Sequence, residues 1–514
     1  MRVLNSIKNV TVAIISYVLA MLIGIVSQSV LVRYLGIEYN GINGLFTNII
    51  SMLSVAELGI GSAVVYHLYK PIAENDKDKI KSLMNFYKIA YRWIALIITI
   101  IGLMVIPFLK GIVGETTIKE NIYLIFILFL ADTVFSYLLT YKRSLLYADQ
   151  KNYIINIVHI LYTILLNALQ IFIMIFTKNY ILYLILRIVF RILENVIITI
   201  IVNKRYTYIL EKNAQKLDQN IFKDIMQKIK ALIFHKVGGY IVDGTDNIVI
   251  SSFLGISTVG IYANYRMIIV AVSTVISQIF NALTASVGNL LVGEKEEKVY
   301  KTYNKLSLLN YFIYYIGASV LYSTITIMVK IIYGESYTID NFTVFIIIAT
   351  FYLQGMKKNI QLFKEAACIF YEDRFVPLIE AVVNIVASVI LVQTIGLAGV
   401  FIGTIISTLV VFLYSYPKYV YHTILNRKKR EYVYEQLKYL IIFLITIFIL
   451  TICFEFIKID NIFVSLIVNV IISGAVSLTS FILIYHKTDA FLYYKEFILN
   501  IIKKIKVRKA KTNI

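Results

Sequence analysis

Residues 34–42 read Tyr34-Leu35-Gly36-Ile37-Glu38-Tyr39-Asn40-Gly41-Ile42, "YLGIEYNGI", and the phrase returns as "FLGISTVGI" at 253–261, an offset of 219 residues. The same offset aligns "NDKDKI" at 75–80 with "EKEEKV" at 294–299, and a third pair, "YADQKNY" at 147–153 and "YEDRFVP" at 371–377, falls at an offset of 224. Order is kept and the drift is small, which is the mark of an internal duplication.

The duplicated units are built for lipid. Of 514 residues, 59% are hydrophobic and 16% charged, with a mean hydropathy of +0.78, whereas soluble domains carry roughly a quarter charged residues. A hydrocarbon layer about 30 Å thick takes about 20 apolar residues per helix, and backbone groups in lipid must be satisfied within helices or a closed barrel. Long unbroken apolar runs select helices. We read an all-α polytopic membrane protein with fourteen spans, at about 11–34, 45–66, 89–108, 121–141, 153–177, 181–202, 231–253, 260–286, 306–329, 341–362, 376–394, 397–417, 438–456 and 462–485. An even count places both termini on one side. Taking that side as cytoplasm gathers most of the 50 Lys and Arg residues there, as the positive-inside rule requires. The net charge of +20 is then explained by topology and attraction to anionic lipid, not by nucleic acid. The first apolar segment is too long for a cleavable signal peptide and lacks a small-residue cleavage site.

The offset carries the first span onto the seventh in the same orientation, so the halves are parallel repeats about an axis along the membrane normal. The expected organisation is a six-span lobe over 1–202, a basic cytoplasmic linker over 203–230, a second six-span lobe over 231–420, and a further helix pair with a basic tail over 421–514. Two facing lobes enclose a cavity that rocking can open to either side, which points to a transporter. Short external loops argue against an enzyme that must hold a glycan acceptor. Two distant cysteines and five scattered histidines form no metal or redox motif, and no phosphate-cradling loop for ATP is present.

"YLGIEYNGINGLF" at 34–46, "AELGIGSA" at 56–63 and "KPIAENDKDKI" at 70–80 together resemble the polysaccharide flippases, carriers of capsule, O-antigen or teichoic-acid repeat units, of the multidrug, oligosaccharidyl-lipid and polysaccharide (MOP) exporter superfamily. The resemblance implies a MATE-like fold and no enzymatic chemistry. It implies that an undecaprenyl-pyrophosphate-linked oligosaccharide is moved from the inner to the outer leaflet of the bacterial cytoplasmic membrane by alternating access, alongside polysaccharide-synthesis partners. A multidrug cation antiporter or a peptidoglycan-precursor flippase of the same fold are the alternatives, with a glycan polymerase further off.

Charges within spans are costly, about 2.5–3.5 kcal/mol each on insertion scales, and normally face a bundle interior or a wet cavity. Arg187, Arg191 and Glu194 stand at i, i+4 and i+7 on one helix face. Guanidinium forks match phosphate oxygens, so Arg33, Arg187, Arg191 and Arg266 are the candidate lining of a pyrophosphate cavity. Arg33 could instead snorkel to the outer interface, and Arg191 could pair with Glu194. Glu57, within "MLSVAELGIGSA" at 52–63, lies about twelve residues or ~18 Å into its span. With Asp132 and Glu194 it is a candidate ion-pair or gating acid, and Gly59 and Gly61 permit a bend or close approach beside it. Asp243, Asp246, Glu380, Asn384 and Thr404 supply oxygen donors. By resemblance to the peptidoglycan-precursor flippases they are the candidate site for a coupling Na⁺ or H⁺; the alternative is an acid cluster that pairs with Lys236, Arg266 or other lobe-interface cations.

Overall fold

The apolar runs fold as helices, broken by Gly and started by Asp or Asn. The computed structural model describes residues 2–57, 60–211, 217–367, 369, 372–457, 459–497 and 499–500. In chain order the helices are α1 (Arg2–Tyr34), α2 (Ile37–Leu53), α3 (Ile60–Glu74), α4 (Lys77–Val105), α5 (Leu109–Val113), α6 (Ile122–Thr140), α7 (Arg143–Ala148), α8 (Asn152–Phe176) and α9 (Tyr180–Arg205). There follow α10 (Gln219–Leu254), α11 (Ile256–Gly293), α12 (Glu296–Ile332), α13 (Asn341–Ala366), α14 (Val376–Ile395), α15 (Leu397–Val410), α16 (Thr423–Leu425), α17 (Lys429–Phe456) and α18 (Ile462–Tyr485), with a π-helical stretch over Val411–His422. Among the described residues no strand occurs.

Asp76, Asn179, Asp218, Asp340 and Asn461 start α4, α9, α10, α13 and α18. Each accepts a backbone N–H two or three residues on, filling donors that a helix start leaves unpaired. Nine helices among the described residues are long and apolar enough to cross a membrane, which makes this a multi-pass membrane protein. Expected spans outside that group include α9, interrupted by Arg187, Arg191 and Glu194, and the broken pair α2 and α3. The polar interior is carried by such helices.

Every landmark of the duplication is a helix boundary. Gly36 and Gly255, 219 residues apart, both turn the chain with positive φ, +111° and +85°. α2 and α11 start on Ile37 and Ile256, α4 and α12 on Lys77 and Glu296, α8 and α14 on Asn152 and Val376.

By packing, the chain forms one unit of Met1–Asn264 with Pro377–Val400 and another of Tyr265–Val376 with Phe401–Ile514. In the first unit α1 packs on α8, α6 on α4 and α9, and α10 on α2 and α3. The corner formed by "YLGIEYNGI" meets its own repeat here. A Cβ on Gly41 would overlap the carbonyl oxygen of Ile256, and one on Gly260 would overlap that of Ile37; each would also stand 3.1 Å from the other glycine's nitrogen. The glycines permit this backbone contact, and Asn40 seals it by donating to the Gly260 carbonyl (2.9 Å) and to Asn264 Oδ1 (2.9 Å). The start of the 203–230 segment is held on the same unit, where Tyr206 donates to Asp149 Oδ2 (2.5 Å) and Lys81 to Glu211 Oε2 (2.9 Å). In the second unit, α12, α13, α17 and α18 pack through tyrosine and phenylalanine. Tyr352 stacks on Phe443 at 4.1 Å and Tyr311 on Tyr439 at 4.2 Å.

Glu38, in the corner between spans, straps down the segment before α6. It accepts from the Thr116 hydroxyl (2.6 Å), the Thr117 N–H (2.7 Å) and hydroxyl (3.0 Å), and Ser257, its repeat equivalent (3.1 Å). Burial opposes its ionisation, but these donors outweigh it and hold the carboxyl below its ordinary value of 4.5. A lowered carboxylate pKa stabilises above the unfolded value, and that contribution disappears as pH falls through the folded one. Amide exchange at 114–120, corrected for intrinsic rate, should therefore stay slow at pH 5 and above and quicken only on further acidification, whereas Glu38→Gln should loosen the segment at neutral pH. Equal protection in the variant and the native chain would show that the strap does not hold the loop.

Candidate functional site

α6 is apolar over its first half, and its second half carries Asp132, its lone charged residue, with Thr133, Ser136, Tyr137 and Thr140. That carboxylate is 4% exposed and meets the charged face of α9. Arg187 Nε donates to Asp132 Oδ2 at 2.9 Å and Arg191 Nε to Oδ1 at 3.4 Å. Arg191 Nη1 reaches on to Glu194 Oε2 at 3.1 Å. Glu194 is 1% exposed, and its Oε1 meets Arg143 Nη2 at 3.3 Å and His159 Nδ1 at 3.0 Å. Arg143 also donates to Asn195 Oδ1 at 2.8 Å. The guanidinium groups of Arg187 and Arg191 lie over the rings of Phe129 and Tyr162, 4.9 and 5.3 Å from their centroids, where the ring face attracts a cation.

A cavity of about 340 Å³ opens on this face, lined by Asp132, Arg143, Arg187, Arg191, Asn195 and hydroxyl side chains that include Ser51 and Tyr137. Three guanidiniums against two carboxylates leave the cluster with a formal excess of one positive charge. The acids fix the arginines without consuming all of their donors. Among the described residues, Arg187 makes its hydrogen bond through Nε alone, leaving both terminal amino groups of the fork for a ligand, and Arg191 leaves Nη2. Such a fork suits phosphate or carboxylate oxygens in paired fashion.

Glu57 sits where its span breaks. α2 stops at Leu53, a tight turn follows over Ser54–Glu57, and α3 begins at Ile60. The expected ion pair with an arginine is replaced by tyrosine hydroxyls: Tyr91 donates to Oε1 at 2.5 Å and Tyr137 to Oε2 at 3.5 Å, while Tyr87 donates to Tyr91 at 2.9 Å. A Cβ on Gly61 would stand 2.9 Å from Glu57 Oε1 and from the Tyr87 hydroxyl, so this glycine makes room for the carboxylate. Gly59 lies outside the described residues. Tyr137 also lines the cavity, and through it Glu57 adjoins the arginine site.

The other candidates are placed differently. Arg33 is exposed in the last turn of α1, a favourable end of the helix dipole for a cation, and is not among the residues lining the cavity. Arg266 is half-buried in the second packing unit. Asp243's side chain lies outside the described residues. Asp246 is half-buried on α10. The neighbouring Thr245 donates to Asn384 Oδ1 of α14 at 3.2 Å, with Asn384 fully buried and Glu380 one turn away on its face. Gly244 lets α10 approach Met52, and Gly238 lets it approach Pro377. Thr404 is buried in the second unit. Among the described residues no group of three or more His, Cys, Asp or Glu side chains could hold a metal ion.

Arg143, His159, Asn195 and Tyr137 were not singled out by sequence. Arg143 follows Lys142 at the end of its span, so in sequence it reads as part of a basic border to the membrane. The one usable signal was Asn195, beside Glu194 on the charged face of α9.

A family model described as polysaccharide biosynthesis protein matches residues 6–284, more than half of the chain. No curated protein sequence matches. Among solved structures, the lipid II flippase MurJ in an inward closed conformation is 16% identical with a TM-score of 0.65, the match covering 94% of this chain and 99% of that one. An inward-facing multidrug resistance MATE family transporter of the MOP superfamily is 15% identical with a TM-score of 0.60, over 79% and 94% of the two chains. A mutant form of the MATE transporter VcmN from Vibrio cholerae is 15% identical with a TM-score of 0.52, over 78% and 95%. At these identities the likeness establishes the all-helical fold of MOP transporters.

Proposed function

This chain belongs to the polysaccharide biosynthesis protein family, and from that premise we propose that it is a flippase. Its cargo is an undecaprenyl-pyrophosphate-linked oligosaccharide, moved from the inner to the outer leaflet of the bacterial cytoplasmic membrane by alternating access of the two repeats, with both termini in the cytoplasm. The observation that carries this reading is the α6–α9 cavity, where Arg187 and Arg191 are held by Asp132 with donors to spare. A diphosphate stripped of water would meet a prohibitive barrier in hydrocarbon, and guanidinium groups in a polar cavity replace the lost hydration. A volume near 340 Å³ is at the small end of ligand sites; it suits the head group, while the remaining sugars need the cavity to open. Direction is supplied by the membrane potential, ~2.3 kcal/mol per charge per 100 mV for an anion leaving a negative interior. A coupling cation at the α10–α14 contact would add to it. The oxygen donors Thr245 and Asn384, with Asp246 and Glu380 beside them, fit Na⁺ or a proton in chemical type.

The excess of guanidinium over carboxylate disfavours a cation exporter, because Asp132 and Glu194 are each already bound by two cationic partners. Depletion of the protein in its host should remove one surface glycan and leave its lipid-linked precursor on the cytoplasmic leaflet, protected from a membrane-impermeant glycosidase in right-side-out vesicles. Intact surface glycan with lost dye resistance would move the chain to the multidrug reading, and general arrest of wall synthesis would move it to peptidoglycan-precursor transport.

A further inference from the structure

We infer that His159 is a proton-binding member of the ion-pair cluster behind the head-group cavity, its protonation adding a second unit of positive charge and tightening the hold on a diphosphate. The inference rests on the flippase reading of that cavity. His159 lies on α8 and joins the arginine cluster through Glu194 Oε1 at 3.0 Å, the oxygen that Arg143 also meets. Its ring stacks on Tyr162 with centroids 5.6 Å apart, and Tyr162 in turn carries the Arg191 guanidinium. The imidazole is therefore one carboxylate away from Arg191 and one aromatic ring away from it by a second route.

The chemistry of the neighbours singles out this side chain. Arginine does not release its proton in proteins, and Asp132 and Glu194 are each held by two cationic groups. Histidine is the side chain whose ordinary pKa, near 6.5, falls in the physiological range. His159 meets Glu194 of α9, whose carboxylate is shared with Arg191 of the same helix and Arg143 of α7, and it stacks on Tyr162 of its own helix. α1, which also packs on α8, carries between Lys8 and Arg33 no titratable side chain except Tyr17. An ionised Glu194 can only accept, so Nδ1 carries the hydrogen of that bond and Nε2 is the atom that takes up a proton. The His159 side chain is half-exposed, whereas that of Glu194 is fully buried and also held by Arg143 and Arg191.

With His159 neutral the cluster holds three guanidiniums and two carboxylates; with imidazolium it gains a second excess charge. A charge several ångströms from a dianion at an effective dielectric near 20 shifts affinity by about tenfold or more. By linkage, the anion in turn favours the protonated ring.

The test uses the full-length protein in lipid nanodiscs and a short-chain prenyl diphosphate sugar, whose diester diphosphate keeps two charges between pH 5.5 and 8. Native protein should bind about tenfold more tightly at the acid end, and calorimetry in buffers of different ionisation heat should show proton uptake on binding. His159→Gln, which keeps an amide donor for Glu194, should bind at all pH values as native protein does at pH 8, with the proton uptake gone. A native chain whose affinity ignores pH, or a His159→Gln chain that retains both the pH dependence and the uptake, would overturn the inference and leave the arginine cavity standing. Failure of the native chain to bind the probe at any pH would remove the cavity reading and this one with it.

Discussion

Replacing Arg187 and Arg191 with glutamine, together with Asp132→Asn, should slow translocation of the lipid-linked oligosaccharide by a hundredfold or more while the protein still inserts and accumulates. Hydrogen bonds to charged groups are worth roughly 1.5–3 kcal/mol each. Two lost arginines thus remove on the order of 3–6 kcal/mol of phosphate stabilisation, and each 1.4 kcal/mol is a factor of ten. The triple change is the informative one because of Asp132. That acid is buried and its partners are these two arginines, so removing the arginines alone strands a carboxylate, at a cost of about 3–5 kcal/mol. Loss of export in an Arg187→Ala/Arg191→Ala chain could then reflect misfolding. Neutralising acid and bases together preserves the packing and removes the charge. Export in right-side-out vesicles or by surface glycan staining gives the readout, with membrane abundance measured beside it. Undiminished export in the triple variant would rule out the arginine pair as the head-group site.

The second large effect is expected at the α1–α2 corner. Gly41→Ala and Gly260→Ala each place a methyl group inside the opposing backbone carbonyl, and a backbone atom cannot swing aside as a side-chain tip can. Parting the two helices should cost about 3 kcal/mol, the upper end of overpacking losses, and lower the melting temperature accordingly. The two substitutions should not add. Once one methyl has separated the helices, the second finds space, so the double variant should be little worse than either single one, a coupling visible in a double-mutant cycle. Strict additivity, or native melting of either single variant, would mean that the contact is not made in the membrane.

Much of this architecture was readable from sequence because its signals are local or repeated. Apolar runs of span length, Gly36 and Gly255 at matching positions, and Asp76 ahead of α4 all act within a few residues of themselves. The face shared by Arg187, Arg191 and Glu194 was legible from helical spacing alone. Their partners were not. Asp132 lies 55 residues before Arg187, and although Asp132, Ser136 and Thr140 mark one face of α6, nothing in that spacing says which helix the face meets. Glu57 was expected to find an arginine and found Tyr91 instead, because Tyr91 and Tyr137 look in sequence like any other of the 40 tyrosines. His159 is one of five dispersed histidines, and only the fold brings it to Glu194. Chemistry spread over four helices leaves no short motif behind.

The self-meeting corner also bears on ancestry. Ile37 touches Gly260 while Ile256 touches Gly41, and Glu38 bonds its own counterpart Ser257. That is the reciprocity of an isologous interface between identical subunits. In a self-pairing single repeat, one mutation there would strike both copies at once. In the joined chain Glu38 and Ser257 differ, and the seam holds a hydrogen bond with its donor on one side and its acceptor on the other.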